Sequence, residues 1–215
     1  MATLADRAER LNFRLRGHGG GDRESGSRLP ALIAMTDVDR MPDPLAAAAV
    51  LPRGSAIILR HYELDALDRR ELARRLVDVC RPRNVRVLIG ADPFLACAVG
   101  AAGIHLPENM IKTGRATWRL WRRPDWLVTA AAHSRVAMTQ AQQSGVDAAL
   151  LSPVFATKSH PGAAPLGILR FTDLCRTSSL PVYALGGISV RTARLLRGSG
   201  AAGIAAIGGI IGDSR

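Results

Sequence analysis

The sequence predicts a (β/α)₈ barrel, and three observations carry that reading. Eight short, near-continuous apolar runs recur from Leu29 onward, and helix-like segments lie between most of them. Apolar strands alternating with helices make a parallel sheet covered by helices. Eight such units in about 190 residues point to a compact closed barrel. The third observation concerns the competing arrangement, an open doubly wound sheet, which usually carries a Gly-rich loop after its first strand. Here the residues after Asp37 read Val-Asp-Arg-Met-Pro, without glycine.

The apolar runs lie at 31–37, 56–62, 86–91, 103–108, 126–132, 147–154, 181–187 and 202–210. The helix-like segments lie at 44–51, 68–80, 93–99, 115–122, 134–144, 166–176 and 190–197. Asp68 and Ser134 are expected as N-caps, since a short side-chain oxygen can accept a free N–H of the first turn. Gly100, Gly145 and Gly200 are expected as C-caps, because glycine tolerates the left-handed backbone there. The sequence stops at Arg215, just past the eighth run, so the eighth outer helix is expected to be short or missing. Either the N-terminal segment or a second copy of the chain would cover that gap, which leaves a homo-oligomer open.

With 215 residues and 47% apolar content, the chain suits one globular domain, here 31–215, behind a flexible basic tail at 1–30. Residues 2–16 can form an amphipathic helix with Leu4, Leu11 and Phe13 among many charges, and 17–28 (GHGGGDRESGSR) lacks apolar anchors. His18 lies in that stretch and has no expected role. No run is long enough for a membrane span, and charges interrupt the first residues where a signal peptide would be apolar. Cys80, Cys97 and Cys175 are far apart with no CxxC spacing, as in a reduced, cytoplasmic protein. The net charge of +11 is nearly all arginine spread along helix faces, and aromatics make up only 4%. Stacking platforms for bases are therefore scarce, and neither nucleic acid nor membrane is an expected partner.

In a parallel barrel the strand ends share one face, and that face builds the site. Two runs with polar ends stand out. The fifth ends in His133-Ser134, and the sixth leads into Thr157-Lys158-Ser159-His160. The last two runs end in Gly186-Gly187 and Gly208-Gly209. Glycine lets backbone N–H groups approach an anion, and the loops after strands seven and eight commonly hold phosphate. Ser189 falls near the start of the seventh helix. Arg60, at the end of the second run, is expected to bind an anionic group of a substrate. His105 lies within a strand and is expected to be a hydrogen-bonded barrel histidine; for His61 the sequence leaves ligand and loop residue equally open. Trp118, Trp121 and Trp126 are expected to pack the fourth helix onto the barrel.

Four strings now point to a family. Gly100-Ala-Ala-Gly-Ile-His-Leu106 resembles the "GADGVHL" segment of thiamine phosphate synthases and TenI-type thiazole tautomerases. Pro153-Val-Phe-Ala-Thr157-Lys-Ser159 resembles their "PVFxTxT" loop. Leu185-Gly-Gly-Ile188 and Gly200-Ala-Ala-Gly-Ile-Ala205 resemble "IGGI" and "GADGVAV". The resemblance runs in order over roughly residues 31–211 and implies the barrel, a thiazole phosphate or thiamine phosphate ligand, and a place in thiamine biosynthesis.

The departures from that pattern shape the functional expectation. The synthases carry Gln-Leu-Arg-Asp/Glu-Lys after strand two, where this chain has Ile58-Leu59-Arg60-His61-Tyr62. Their Asn-Asp pair after strand three is Gly90-Ala91 here, and Glu108 stands where they carry glutamine. In the Thr-x-Thr-Lys loop Thr157 and Ser159 match, His160 takes the lysine position, and Lys158 comes two places early. Magnesium wants hard oxygen ligands. Glu108 and Asp92 are the nearest substitutes, neither at the family's ligand position. The implied reading is a metal-independent, TenI-like tautomerase with no cofactor. His133 matches the tautomerase histidine and would act as general acid and base. Thr157, Lys158, Ser159, His160 and Arg60 would hold the substrate, and Gly186, Gly187, Gly208 and Gly209 its phosphate. Two alternatives stand beside it. One is a divergent, magnesium-dependent synthase coupling an aminopyrimidine pyrophosphate to a thiazole phosphate; the other is a non-catalytic binder of either phosphate.

Overall fold

Leu32, Ile33, Ala34 and Met35 carry no polar side chain, and all four are buried as β1 (Leu32–Met35) in the computed structural model. The structure describes residues 3–10, 29–112, 117–157 and 164–207. Seven further strands follow: β2 (Ala56–Leu59), β3 (Arg86–Gly90), β4 (Gly103–Leu106), β5 (Leu127–Ala132), β6 (Ala148–Leu151), β7 (Val182–Ala184) and β8 (Gly203–Ala206). They form one closed parallel barrel in sequence order, with β8 paired back to β1. All eight expected strands are present, each inside its apolar run.

Side chains alternate across the barrel wall with the two-residue period of a strand. Ile33, Met35, Ile58, Leu88, Leu127, Leu150 and Tyr183 form the inner cluster. Ala34, Ile57, Leu59, Val87, Ile89 and Ile104 belong to the outer cluster, packed beneath the helices. The Tyr183 hydroxyl donates to Pro30 O at 2.6 Å, so this fully buried phenol keeps its hydrogen bond.

The helices are α2 (Pro44–Val50), α3 (Ala66–Cys80), α4 (Pro93–Val99), α5 (Glu108–Lys112), α6 (Arg135–Gln143), α7 (Gly167–Thr177) and α8 (Val190–Ala193), after an N-terminal α1 (Leu4–Arg10). Ser134 caps α6 by accepting Ala137 N–H at 3.1 Å, as expected. Asp68 does not cap α3. Asp65 does, accepting the N–H groups of Leu67 and Asp68, so the helix starts nearly one turn earlier. Gly100 ends α4 in the left-handed region at φ 65°, and Gly145 follows α6 at φ 70°. Gly200 is not a helix cap, because α8 gives way to a 3₁₀ turn that ends at Leu196. The helix expected at 115–122 is a 3₁₀ segment, Thr117–Trp121, as far as it is described. Trp118 and Trp126 are buried, whereas Trp121 is 43% exposed and meets Phe94 of α4 edge-on at 5.4 Å.

Leu4 and Ala8 of α1 are buried, and the helix packs against β1 and α8. Part of the stretch read as a tail thus covers the seam between the last and first units. The physical reason is the spacing of Leu4 and Ala8, one above the other on one helix face. Leu11, Phe13 and 17–28, and the expected gap after the eighth strand at 208–215, lie outside the described residues. No helix among the described residues is long and apolar enough to cross a membrane.

Candidate functional site

The carboxyl ends of the eight strands form one rim, and three arcs of it carry the residues of interest. The first arc follows β1, β2 and β3. Thr36 Oγ1 accepts Arg60 N–H at 2.9 Å and lies 2.8 Å from His61 Nδ1. The Arg60 guanidinium donates to Thr36 O at 2.8 Å and to Asp37 Oδ2 at 2.6 Å. Arg40 also donates to Asp37, at 2.7 Å. That bond, backed by the Arg40 and Arg60 charges, holds the Asp37 carboxyl at about 2, against a smaller upward push from burial. His61 is buried, which lowers its pKa and keeps it neutral. Arg69, from the first turn of α3, donates to Gly90 O at 2.6 Å and to Arg60 O at 3.2 Å. Its guanidinium also lies 5.3 Å from the Tyr62 ring centre.

This arc bends sharply. His61 sits at φ 31° and Ala91 at φ 61°, left-handed values that cost energy for residues with a Cβ. The Thr36–His61 bond and the Ala91 N–H bond to His105 O at 2.9 Å hold the two bends. Asp92 caps α4 through Leu95 N–H at 2.8 Å and lies 3.5 Å from Arg69. Its carboxylate is therefore engaged in structure.

The second arc follows β4, β5 and β6. His105 is a barrel histidine, as expected: its Nδ1 lies 2.9 Å from Thr129 Oγ1, its register partner on β5. Burial, with the Arg60 charge adding, drives its pKa down to about 3, so it is neutral near pH 7. His133 emerges just past β5. Its Nδ1 lies 3.0 Å from Ser152 O and 3.1 Å from Ser152 Oγ. A carbonyl only accepts, so this network assigns the proton to Nδ1 and leaves the lone pair on Nε2. Nε2 lies 3.9 Å from Glu108 Oε2, and the same carboxylate oxygen accepts His133 N–H at 3.0 Å. The His133 side chain is 46% exposed and that of Glu108 only 14%. Thr157 is half-buried in the loop after β6.

The third arc follows β7. Gly186 and Gly187 have φ 89° and 66°. A Cβ on Gly186 would stand 2.8 Å from Pro153 Cα, and one on Gly187 would stand 2.5 Å from Ala156 O. Val154 N–H and Phe155 N–H bond to Leu185 O and Gly186 O, closing the loops after β6 and β7 on each other. Close loop packing therefore requires glycine here whether or not an anion binds. Ser189 caps α8 in a reciprocal capping box with Thr192.

Of the expected site residues, the structure places Arg60, His133, Thr157, Gly186 and Gly187 on one rim. Lys158, Ser159, His160, Gly208 and Gly209 lie outside the described residues. Sequence reasoning missed the roles of Tyr62, Arg69 and Ser152, and took Glu108 as a metal substitute or a replacement catalytic group rather than as the partner of His133. Arg69 looks like any arginine on a polar helix face. Ser152 acts through its carbonyl, which no side-chain pattern reveals. Positions 90 and 91 offer no carboxylate, Asp92 caps a helix, and Glu108 holds His133. Among the described residues no group of three His, Cys, Asp or Glu could hold a metal ion. The two nearest carboxylates on the described rim, Asp92 and Glu108, both have protein partners.

The comparisons with known proteins bear on the family and the fold. The family model described as thiamine monophosphate synthase matches residues 32–210. A thiamine-phosphate synthase of Thioalkalivibrio sulfidiphilus is 32% identical over 192 residues, covering 87% of this chain and 90% of its own. One from Coprothermobacter proteolyticus is 30% identical over 166 residues, 77% of this chain and 78% of its own. The solved thiamine phosphate pyrophosphorylase of Pyrococcus furiosus superposes with a TM-score of 0.69 at 23% identity, covering 82% and 84% of the two chains, and shares the fold. The chain belongs to the thiamine monophosphate synthase family, which includes the TenI-type proteins.

Proposed function

We propose that this chain is a metal-independent, TenI-like tautomerase of a thiazole carboxylate phosphate, working in thiamine biosynthesis. The observation that carries the reading is the setting of His133. Its ring is turned by Ser152 so that Nε2, with its lone pair, faces Glu108 at 3.9 Å on the open side of the rim. In the proposed reaction Nε2 takes a proton from a ring carbon of the substrate. The electron pair left behind delocalises through the conjugated system, and the imidazolium returns a proton at the exocyclic carbon joined to the ring, which leaves the ring aromatic. The Glu108 carboxylate stabilises the imidazolium while it exists. Arg60, paired with Asp37 and Thr36 O, shapes the mouth, and the loops at 157–160, 186–187 and 208–209 hold the phosphate ester and its ring. No step of the proposed reaction needs a metal.

The second reading is a divergent synthase, favoured by the names of relatives about a third identical to this chain. Two assays on the wild-type protein separate them. One follows loss of ring-proton label from the thiazole carboxylate phosphate in the presence of a chelator. The other follows magnesium-dependent coupling of the aminopyrimidine pyrophosphate to a thiazole phosphate. Label loss without coupling supports the tautomerase. Coupling that disappears with magnesium defeats it, and binding with neither turnover leaves the non-catalytic binder.

A further inference from the structure

By the alternation along β3, position 90 faces the barrel mouth, two residues beyond the inward Leu88. Gly90 puts nothing there. The space is taken instead by Tyr62 from the loop after β2: a Cβ built on Gly90 would lie 2.5 Å from the Tyr62 hydroxyl and 3.2 Å from Cζ. Tyr62 is 51% exposed as a whole, but its hydroxyl end leans over Gly90, and the loss of water there raises the phenol above its ordinary pKa. Arg69 fixes this pose from behind. Its side chain is 11% exposed, it lies under the ring at 5.3 Å, and it holds the carbonyls of both Arg60 and Gly90. One residue therefore clamps the ring and the two strand ends on which the ring rests.

We infer that Tyr62 is a specificity-determining wall that limits the mouth to a ligand with a single ring. It stands at β2 and β3, across the barrel from the glycine loop after β7 and next in barrel order to β4, after which Glu108 follows. A phosphate anchored on the far side leaves the ring in the middle of the mouth, and a second ring extending toward β3 meets the Tyr62 phenol. This inference rests on the proposed function for the ligand class, but its test does not depend on turnover.

The experiment measures binding by calorimetry of two probes, a thiazole phosphate with one ring and thiamine monophosphate with two. Wild type is expected to favour the one-ring probe. Tyr62→Ala should narrow that preference by at least about tenfold, the scale of a pocket wall removed, while Tyr62→Phe, which keeps the ring, should retain it. Equal selectivity in wild type and Tyr62→Ala overturns the inference, as does wild type that prefers the two-ring probe. A second measurement needs no ligand. Gly90→Ala should lower the melting temperature in wild type and do so less in the Tyr62→Ala background, where the hydroxyl at 2.5 Å is gone and only the Leu59 carbonyl at 3.0 Å remains against the new Cβ. A penalty unchanged in the two backgrounds also overturns the wall. Failure of the tautomerase reading shows separately, as the absence of ring-proton exchange in a protein whose size selectivity still depends on Tyr62.

Discussion

The arc of the rim after β1–β3 and the arc after β4–β6 are built from the same kinds of residue and do opposite things. In the first, Arg60 and Arg69 point back at the protein, onto Thr36 O, Asp37, Gly90 O and Arg60 O. Its histidine, His61, is 8% exposed and lies against Thr36. In the second, the His133 ring is held at Nδ1 by Ser152, its Nε2 faces the Glu108 carboxylate at 3.9 Å, and its side chain is 46% exposed. A charged or titratable group whose hydrogen bonds close inside the fold shapes a site. One whose ring stays half exposed beside a carboxylate can exchange a proton with a ligand. The position of a residue at a strand end does not distinguish the two cases; the partner does.

The largest effect that would sharpen this contrast is on catalysis in the second arc. His133→Ala should lower ring-proton exchange about 10²–10⁴-fold, with thiazole phosphate affinity little changed. His133→Gln should do no better, since an amide cannot carry the proton. The same exchange assay on His61→Gln should show only a small loss; a loss as large as that of His133→Ala would erase the distinction between the arcs.

Acid stability comes next, and it tests the buried side of the comparison. His105 is neutral when folded, with its pKa near 3, and would take a proton at an ordinary value near 6.5 when unfolded. The unfolded state therefore binds more protons between those values, so stability falls as the pH drops through that window, by roughly 3 kcal/mol by pH 4. Asp37 acts in the same direction lower down. Its carboxyl is at about 2 in the fold against 3.8 ordinarily, so its contribution is present above 3.8 and lost toward 2. Denaturant melts from pH 7 to 4 should show the decline, and His105→Gln should flatten it. A wild-type stability that is level across that range would contradict the buried, neutral histidine.

Gly187→Ala should cost about 2 kcal/mol, from a left-handed backbone and a Cβ driven against Ala156 O. Chemical denaturation measures it, and a neutral result would show that the loops after β6 and β7 part more readily than their mutual hydrogen bonds indicate. The smallest effect is expected at Arg69→Met, about 1–2 kcal/mol, from two carbonyls left without their donor. Since Arg69 belongs to the inward-turned arc, this substitution should change stability more than ring-proton exchange. The reverse would place Arg69 in direct contact with substrate.

Much of this was legible in one dimension. Each of the eight strands could be found because a barrel strand is buried on both faces and must read as a short apolar run. Ser134 at the head of α6 and Gly100 at the end of α4 could be found because capping chemistry is local: the side chain or the missing Cβ acts on a backbone group within a few residues. For the same reason His133 and Thr157 could be assigned to one rim from their places just past β5 and β6. What the sequence could not rank was competition between equivalent neighbours. Asp65 and Asp68 are both suitable caps for α3, and only the packing of the helix on the barrel selects the first.

The partnerships of the site were decided by tertiary structure alone. Glu108 and His133 are 25 residues apart, His133 and Ser152 are 19 apart, and Arg69 reaches Gly90 across 21. Each pair meets because adjacent parallel strands end side by side, and the barrel's register sets which ends those are. Tyr62 over Gly90 is the clearest case, since a glycine in a strand pattern does not reveal which side chain fills the space it leaves. The sequence by itself determined which residues stand on the rim, because burial and capping act locally on the chain. Which of them close on one another and which face a ligand depended on distances between strands, and those exist only once the barrel has closed.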